Sequence, residues 1–118
     1  MEKLVSIIMP AYNCADYIAE SIKSVQNQSY RNWELIVADD NSTDGTVDTV
    51  RSVAADDNRI HLLETDINLG PAAARNRAIN AAQGDYIAFL DSDDIWYPDK
   101  LSRQISFMEQ MGYYIHRV

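Results

Sequence analysis

Four short apolar runs, each separated from the next by a stretch with helical spacing, restrict the folds open to this chain more than any other feature. Leu4-Val5-Ser6-Ile7-Ile8-Met9, stopped by Pro10, reads as a strand buried on both faces. Trp33 to Ala38 is a second such strand, Ile60 to Glu64 a third with a weaker pattern, and Asp85 to Leu90 a fourth. Between the first two, Ile18, Ile22 and Val25 recur at i, i+4 and i+7, which predicts a helix that Asn13 can cap. "DDNSTDGT" then forms a turn in which Ser42 or Thr43 can cap a helix carrying Val47, Val50 and Val53 or Ala54 inward. Pro71 suits the first turn of a third helix running to about Ala82, with Gly84 closing it. Pro98 opens a last helix with Leu101, Ile105 and Met108 in register, and "MGYYIHRV" has the makings of a further strand.

This alternation predicts an α/β fold: a Rossmann-like open sheet of mainly parallel strands with helices on both faces, residues 1–118 forming one domain. A chain of this size buries roughly two-thirds of its unfolded surface, enough for a single core. Trp33, Phe89 and the methionines are expected in that core. Ligands of open α/β sheets bind outside the carboxyl ends of the strands, where strand order reverses. All four strands end there in unusual polar residues: Tyr12-Asn13, Asp39-Asp40-Asn41, Asp66 to Asn68, and Asp91-Ser92-Asp93-Asp94.

Charge narrows the ligand. Ten Lys and Arg stand against 18 Asp and Glu, a formal net charge of -8 with no basic cluster. That field repels phosphate backbones and argues against nucleic acid or an anionic membrane surface as partner. With one cysteine, Cys14, and two histidines, His61 and His116, no disulfide within the chain and no zinc ligand set is expected, so any metal would be held by oxygen. The N-terminus lacks the pattern of a signal peptide, and no span approaches the ~20 apolar residues of a membrane helix, so a soluble cytoplasmic domain is expected.

Asp91 and Asp93, two apart on an extended turn, project to one side, whereas Asp94 points elsewhere. Their repulsion calls for shared protons, basic partners such as Arg75 or Arg77, or a divalent cation. Mg²⁺ or Mn²⁺ shared with substrate phosphates is the economical solution. A plainer reading has "DSDD" only ending a strand and capping the helix of Pro98, and Asp39-Asp40 only capping a helix. On the functional reading, a carboxylate of Asp39 or Asp40 accepts a nucleobase imide N–H and Tyr12 stacks on the base. Trp96-Tyr97 packs, or else covers a sugar.

These residues resemble the family 2 glycosyltransferases with the type A fold. "VSIIMPAYN", "ELIVADDNSTDGT", "NLGPAAARN" and "GDYIAFLDSDDIWYPDKL" are similar to that family's successive N-terminal motifs in order and spacing, over residues 4 to 110. The resemblance implies a UDP or other nucleotide-diphosphate sugar as donor and a role in polysaccharide biosynthesis. It implies Pro10, Tyr12 and Asp40 around the base, Arg75 near the donor, Asp91 toward the ribose, and Asp93 as ligand of Mg²⁺ or Mn²⁺. Ala78 departs from the family's usual glycine. The family's second half, which supplies the acceptor pocket and general base, has no counterpart in these 118 residues. The chain therefore reads as the donor-binding portion of an inverting glycosyltransferase with an unidentified acceptor. The alternatives are a nucleotide-binding module without turnover and a phospho-receiver domain, whose acidic pair belongs after the first strand. Unpaired backbone at the sheet edge predicts a homodimer.

Overall fold

The computed structural model describes residues 2–111. Strand β1 (Val5–Ala11), helix α1 (Ile18–Gln26), β2 (Trp33–Asp39), α2 (Thr46–Asp56), β3 (Ile60–Leu63), α3 (Pro71–Ala81), β4 (Tyr86–Phe89) and α4 (Lys100–Met111) follow in strict alternation. The four strands form one sheet in the order β3-β2-β1-β4, every pair parallel. The chain moves outward from β1 to β3 and then returns to the other side of β1 with β4. Strand order thus reverses at β1 and β4, the position where such sheets bind ligands.

Alternation of side chains along each strand divides the core between two layers. Ile7, Met9, Leu35 and Val37 meet Ile18, Ile22 and Val25 of α1, Val50 of α2, and Leu101 and Ile105 of α4. On the opposite face Ile8, Ile36, Ala38 and Ile87 meet Ala74, Ala78 and Ala82 at the α3 side. Each fully buried aliphatic side chain here contributes about 1.5–3 kcal/mol. Small residues let α3 lie close to the sheet. Ala78, where the related pattern has glycine, is fully buried and fits that approach.

Several local expectations are corrected. β1 runs through Pro10 to Ala11. Its pairing with β4 ends at Ile8 and Phe89, so the absent N–H of Pro10 faces no ladder partner on that side. Asn13 does not cap α1; that position is taken by Tyr17, without a side-chain cap bond. Neither Ser42 nor Thr43 caps α2, which starts from Gly45. Gly84 lies beyond the end of α3, whose C-cap is Ala82. A Cβ on Gly84 would fall 2.5 Å from Ser6 Oγ and 2.8 Å from the Leu4 carbonyl, so the glycine serves close approach to β1. Pro98 stands two residues ahead of α4. Phe89 is 52% exposed instead of buried, because it ends what is, among the described residues, an edge strand, beyond Ile87, the β4 side chain that packs on the α3 side. Met9 is fully buried and Met108 packs at the core margin. The strand expected in "MGYYIHRV" lies outside the described residues. Among the described residues, no helix is long and apolar enough to cross a membrane.

Candidate functional site

At the carboxyl edge of β1 and β4 lies an open cavity of about 590 Å³, within the range of small-molecule sites. Pro10, Tyr12, Asp40, Asp91 and Asp93 all line it. Of the other candidates, Asp39 and Arg75 lie outside the lining. Asn68, one of the polar residues at the end of the third strand, lines it too, as do Cys14, Tyr17 and Gly70, which carry no signal of a site in the sequence. They come from the loops after β1 and β3, and only contact across strands brings them together.

Two loops carry the wall formed by Tyr12 and Asn13. The backbone N–H groups of Asn13, Cys14 and Ala15 donate in turn to Ser42 Oγ (2.9 Å), Thr46 Oγ1 (3.0 Å) and Asp44 Oδ2 (3.2 Å). Asn13 Oδ1 accepts from the Thr43 N–H at 2.8 Å, and both Asn13 and Asn41 adopt left-handed φ values of 47° and 66°. Asparagine tolerates that conformation better than most residues. Ser42 is secured in turn by Asp39, whose Oδ1 accepts its hydroxyl (2.5 Å) and Oδ2 its N–H (2.9 Å). Asp39 is only 2% exposed, so its carboxylate is committed to this turn. The hydroxyl of Thr46 donates to Asp44 Oδ1 and holds that carboxyl below its ordinary pKa.

Asp40 is as buried as its neighbour but faces the cavity. Its Oδ1 accepts the N–H of Leu69 at 2.9 Å and its Oδ2 that of Gly70 at 2.8 Å, fixing the loop ahead of α3. Gly70 has φ 97°, open to glycine at little steric cost. Each carboxylate oxygen can accept a second bond, so Asp40 keeps acceptor capacity toward the cavity. Tyr12 is 51% exposed and offers a ring face there.

Asp91 to Asp94 form a turn closed by the Asp94 N–H on the Asp91 carbonyl at 3.0 Å. Asp91 and Asp93 share the cavity while Asp94 does not, as their spacing suggested. Among the described residues neither carboxylate has a hydrogen bond or ion pair. Arg77 reaches the backbone carbonyl of Asp39 at 3.4 Å, and among the described residues neither it nor Arg75 pairs with an acidic side chain. Hard oxygen donors left unneutralised suit Mg²⁺ or Mn²⁺. No group of three or more His, Cys, Asp or Glu among the described residues is arranged to hold a metal. Two carboxylates could hold such an ion only with its remaining ligands supplied by a bound substrate. Trp96 packs against the core and Tyr97 is 82% exposed.

Comparison with known proteins shows the family and the fold. The family model described as glycosyl transferase family 2 matches residues 6–116. The Escherichia coli protein WfgD, named UDP-Glc:alpha-D-GlcNAc-diphosphoundecaprenol beta-1,3-glucosyltransferase, is 52% identical over 105 residues, 89% of this chain and 41% of that protein. The crystal structure of S. aureus TarS 1-349 in complex with UDP superposes with a TM-score of 0.83 at 31% identity, covering 90% of this chain and 32% of that one. The mannosyltransferase PcManGT from Pyrobaculum calidifontis, in complex with GDP-Man and Mn2+, gives 0.85 at 31% identity, covering 92% and 33%. The chain spans 41% to 43% of the length of the first curated relatives it matches.

Proposed function

The chain belongs to glycosyl transferase family 2, and from that premise we propose that it is the donor-binding portion of an enzyme that transfers a sugar, with inversion, from a nucleoside diphosphate to an acceptor in polysaccharide biosynthesis. What carries this reading is the convergence of Tyr12, Asp40, Asp91 and Asp93 on one cavity at the switch point of the sheet. Tyr12 stacks on the nucleobase against Pro10, and Asp40 accepts a base N–H with the lone pairs that Leu69 and Gly70 leave over. Asp39 acts from behind, through Ser42, on the loop that carries Tyr12. Asp91 turns toward the ribose, Asp93 and Asp91 hold a divalent cation, and Arg75 serves the donor's negative charge. The cation, when bound, supplies positive charge to the leaving diphosphate. Deprotonation of the acceptor hydroxyl needs a further base. None of the cavity carboxylates is spare for that step, since Asp40 holds two amides and the pair on the turn is committed to the ion.

Support for the donor class comes from the complexes of similar proteins with UDP and with GDP-Man and Mn2+. Isothermal titration with UDP, GDP, TDP and CDP, with and without Mn²⁺ or Mg²⁺, tests the reading. At least one is expected to bind, tighter with metal, and Asp93→Ala is expected to remove the metal's share by tenfold or more. If none of the four binds with metal present, the donor-binding reading fails. A donor assay that shows binding without transfer assigns turnover to parts beyond this portion.

A further inference from the structure

Helix α1 carries two buried stripes, and only one of them is apolar. Ile18, Ile22 and Val25 enter the core, while Ser21, Ser24 and, two residues beyond the end of the helix, Gln28 are also buried, at 0%, 7% and 0% exposure. Buried polar side chains of this kind require partners. All three find them on one segment, the connection from the acidic turn to α4. The Ser21 hydroxyl donates to the Asp94 carbonyl at 2.5 Å and lies 3.3 Å from that of Asp91. Ser24 Oγ accepts the Trp96 N–H at 3.1 Å. Gln28 donates to the Tyr97 carbonyl and accepts the Leu101 N–H.

We propose that Ser21 is a positioning residue for the site: its one hydroxyl proton, given chiefly to the Asp94 carbonyl and shared weakly with that of Asp91, fixes the ends of the Asp91–Asp94 turn and so aims the carboxylates of Asp91 and Asp93 at one shared ligand. The reasoning starts from their exposure. Both aspartates are exposed and have no side-chain partner among the described residues, so packing does not fix their direction. Only the backbone of the turn does. That backbone has one internal bond, Asp94 N–H to Asp91 carbonyl, and Ser21 supplies the anchor that ties both of its ends to a rigid helix. Ser24 and Gln28 bind farther along, beyond the carboxylates. Removal of the Ser21 hydroxyl therefore loosens the metal end of the cavity, whereas the base end, framed by Tyr12 and Asp40, hangs on different loops.

The proposal rests on the donor-binding reading, and the test separates the two. Calorimetry compares wild type, Ser21→Ala and Ser24→Ala in the whole chain. Each is titrated with uridine and UDP, and with guanosine and GDP, with and without Mn²⁺. In Ser21→Ala the gain in diphosphate affinity brought by Mn²⁺ is expected to fall about tenfold, with nucleoside affinity unchanged. Ser24→Ala, equally buried, is expected to lower the melting temperature and leave the Mn²⁺ gain intact. Faster amide exchange at residues 92–94 in Ser21→Ala without ligand is the second expected sign. If the alanine variant does not fold, Ser21→Cys, nearly isosteric with a far weaker donor, carries the same measurements. An unchanged Mn²⁺ gain, or an equal loss of nucleoside and diphosphate affinity, overturns the positioning role while the donor-binding reading stands. Absence of binding by wild type of all of UDP, GDP, TDP and CDP with metal present overturns both.

Discussion

Asp57 and Arg59 show how much a two-residue interval can decide at the start of an edge strand. Asp57 Oδ1 accepts from the Arg59 N–H (3.1 Å) and Nε (3.0 Å), while Oδ2 accepts from the other arm of that guanidinium (2.9 Å) and from Gln26 (3.2 Å). The guanidinium also lies 3.7 Å above the ring of Trp33, joining the turn to β2. Arg59's hydrogen bonds, ahead of the other contributions, lower the Asp57 pKa from 3.8 to about 2. A depressed carboxylate adds stability that is complete above its unfolded pKa and is lost as pH falls through the folded one. Asp57→Asn is therefore expected to cost on the order of 1 kcal/mol at neutral pH, after solvent screening is allowed for. The gap from wild type should close between pH 4 and pH 2. Thermal melts of both proteins across that range measure it, and a gap independent of pH would remove the ionic cause. None of this was visible in the sequence, where Asp57 and Arg59 are two charges in a polar turn. The site carboxylates were more legible, because Asp91 and Asp93 sit straight after an apolar run, where a turn needs no such density of charge.

Elements show the same division between what periodicity carries and what contact decides. The positions Ile18, Ile22 and Val25 announced α1 and its core face, and the structure places all three at 0% exposure. Ser21 and Ser24 on the same helix, and Gln28 just beyond its end, are buried too but are polar, and a hydropathy pattern reads polar as solvent-facing. Their burial follows from the later segment that crosses them, about 70 residues away in the chain. Gln28 is the most consequential for architecture. Its carbonyl caps the second residue of α4, Leu101, and its amide holds the Tyr97 carbonyl at 2.7 Å. Gln28→Ala leaves the Leu101 N–H buried without its partner, while the Tyr97 carbonyl keeps only the Lys100 N–H, at a cost of about 1–3 kcal/mol. Urea unfolding should show a lower midpoint with an unchanged slope. Amide exchange should rise first at residues 101–105. Exchange spread evenly over the sheet would mean that Gln28 stabilises the core as a whole and gives no specific support to α4. Capping was the least legible feature, since Asn13, Ser42 and Thr43 have the chemistry of caps and are drawn instead into bonds between the first two strand-ending loops.

At the scale of the molecule, strict alternation of strand and helix established a parallel sheet covered on both faces, but not which strands are neighbours. The order β3-β2-β1-β4 depends on long-range pairing that leaves no local mark on any one strand. Its consequence is that β4, the strand that delivers the acidic turn, is also an edge. Among the described residues, β4 pairs with β1 alone. Phe89 at its end is half exposed, on the α3 face of the sheet but beyond Ile87. Among the described residues no further strand pairs with β4, and such an edge beside an exposed aromatic side chain is a template for pairing with another strand. For the 118-residue chain in solution, this predicts reversible self-association through β4. Sedimentation velocity should show the weight-average coefficient rising with concentration. Phe89→Lys adds a charge to the edge and removes apolar area, so it should weaken association about tenfold or more. The same variant leaves the side chains of the cavity in place, so nucleotide affinity should stay within about twofold of wild type. A wild-type profile that remains monomeric at high concentration excludes pairing at this edge. Association that Phe89→Lys leaves untouched moves the contact to β3, the other edge of the sheet.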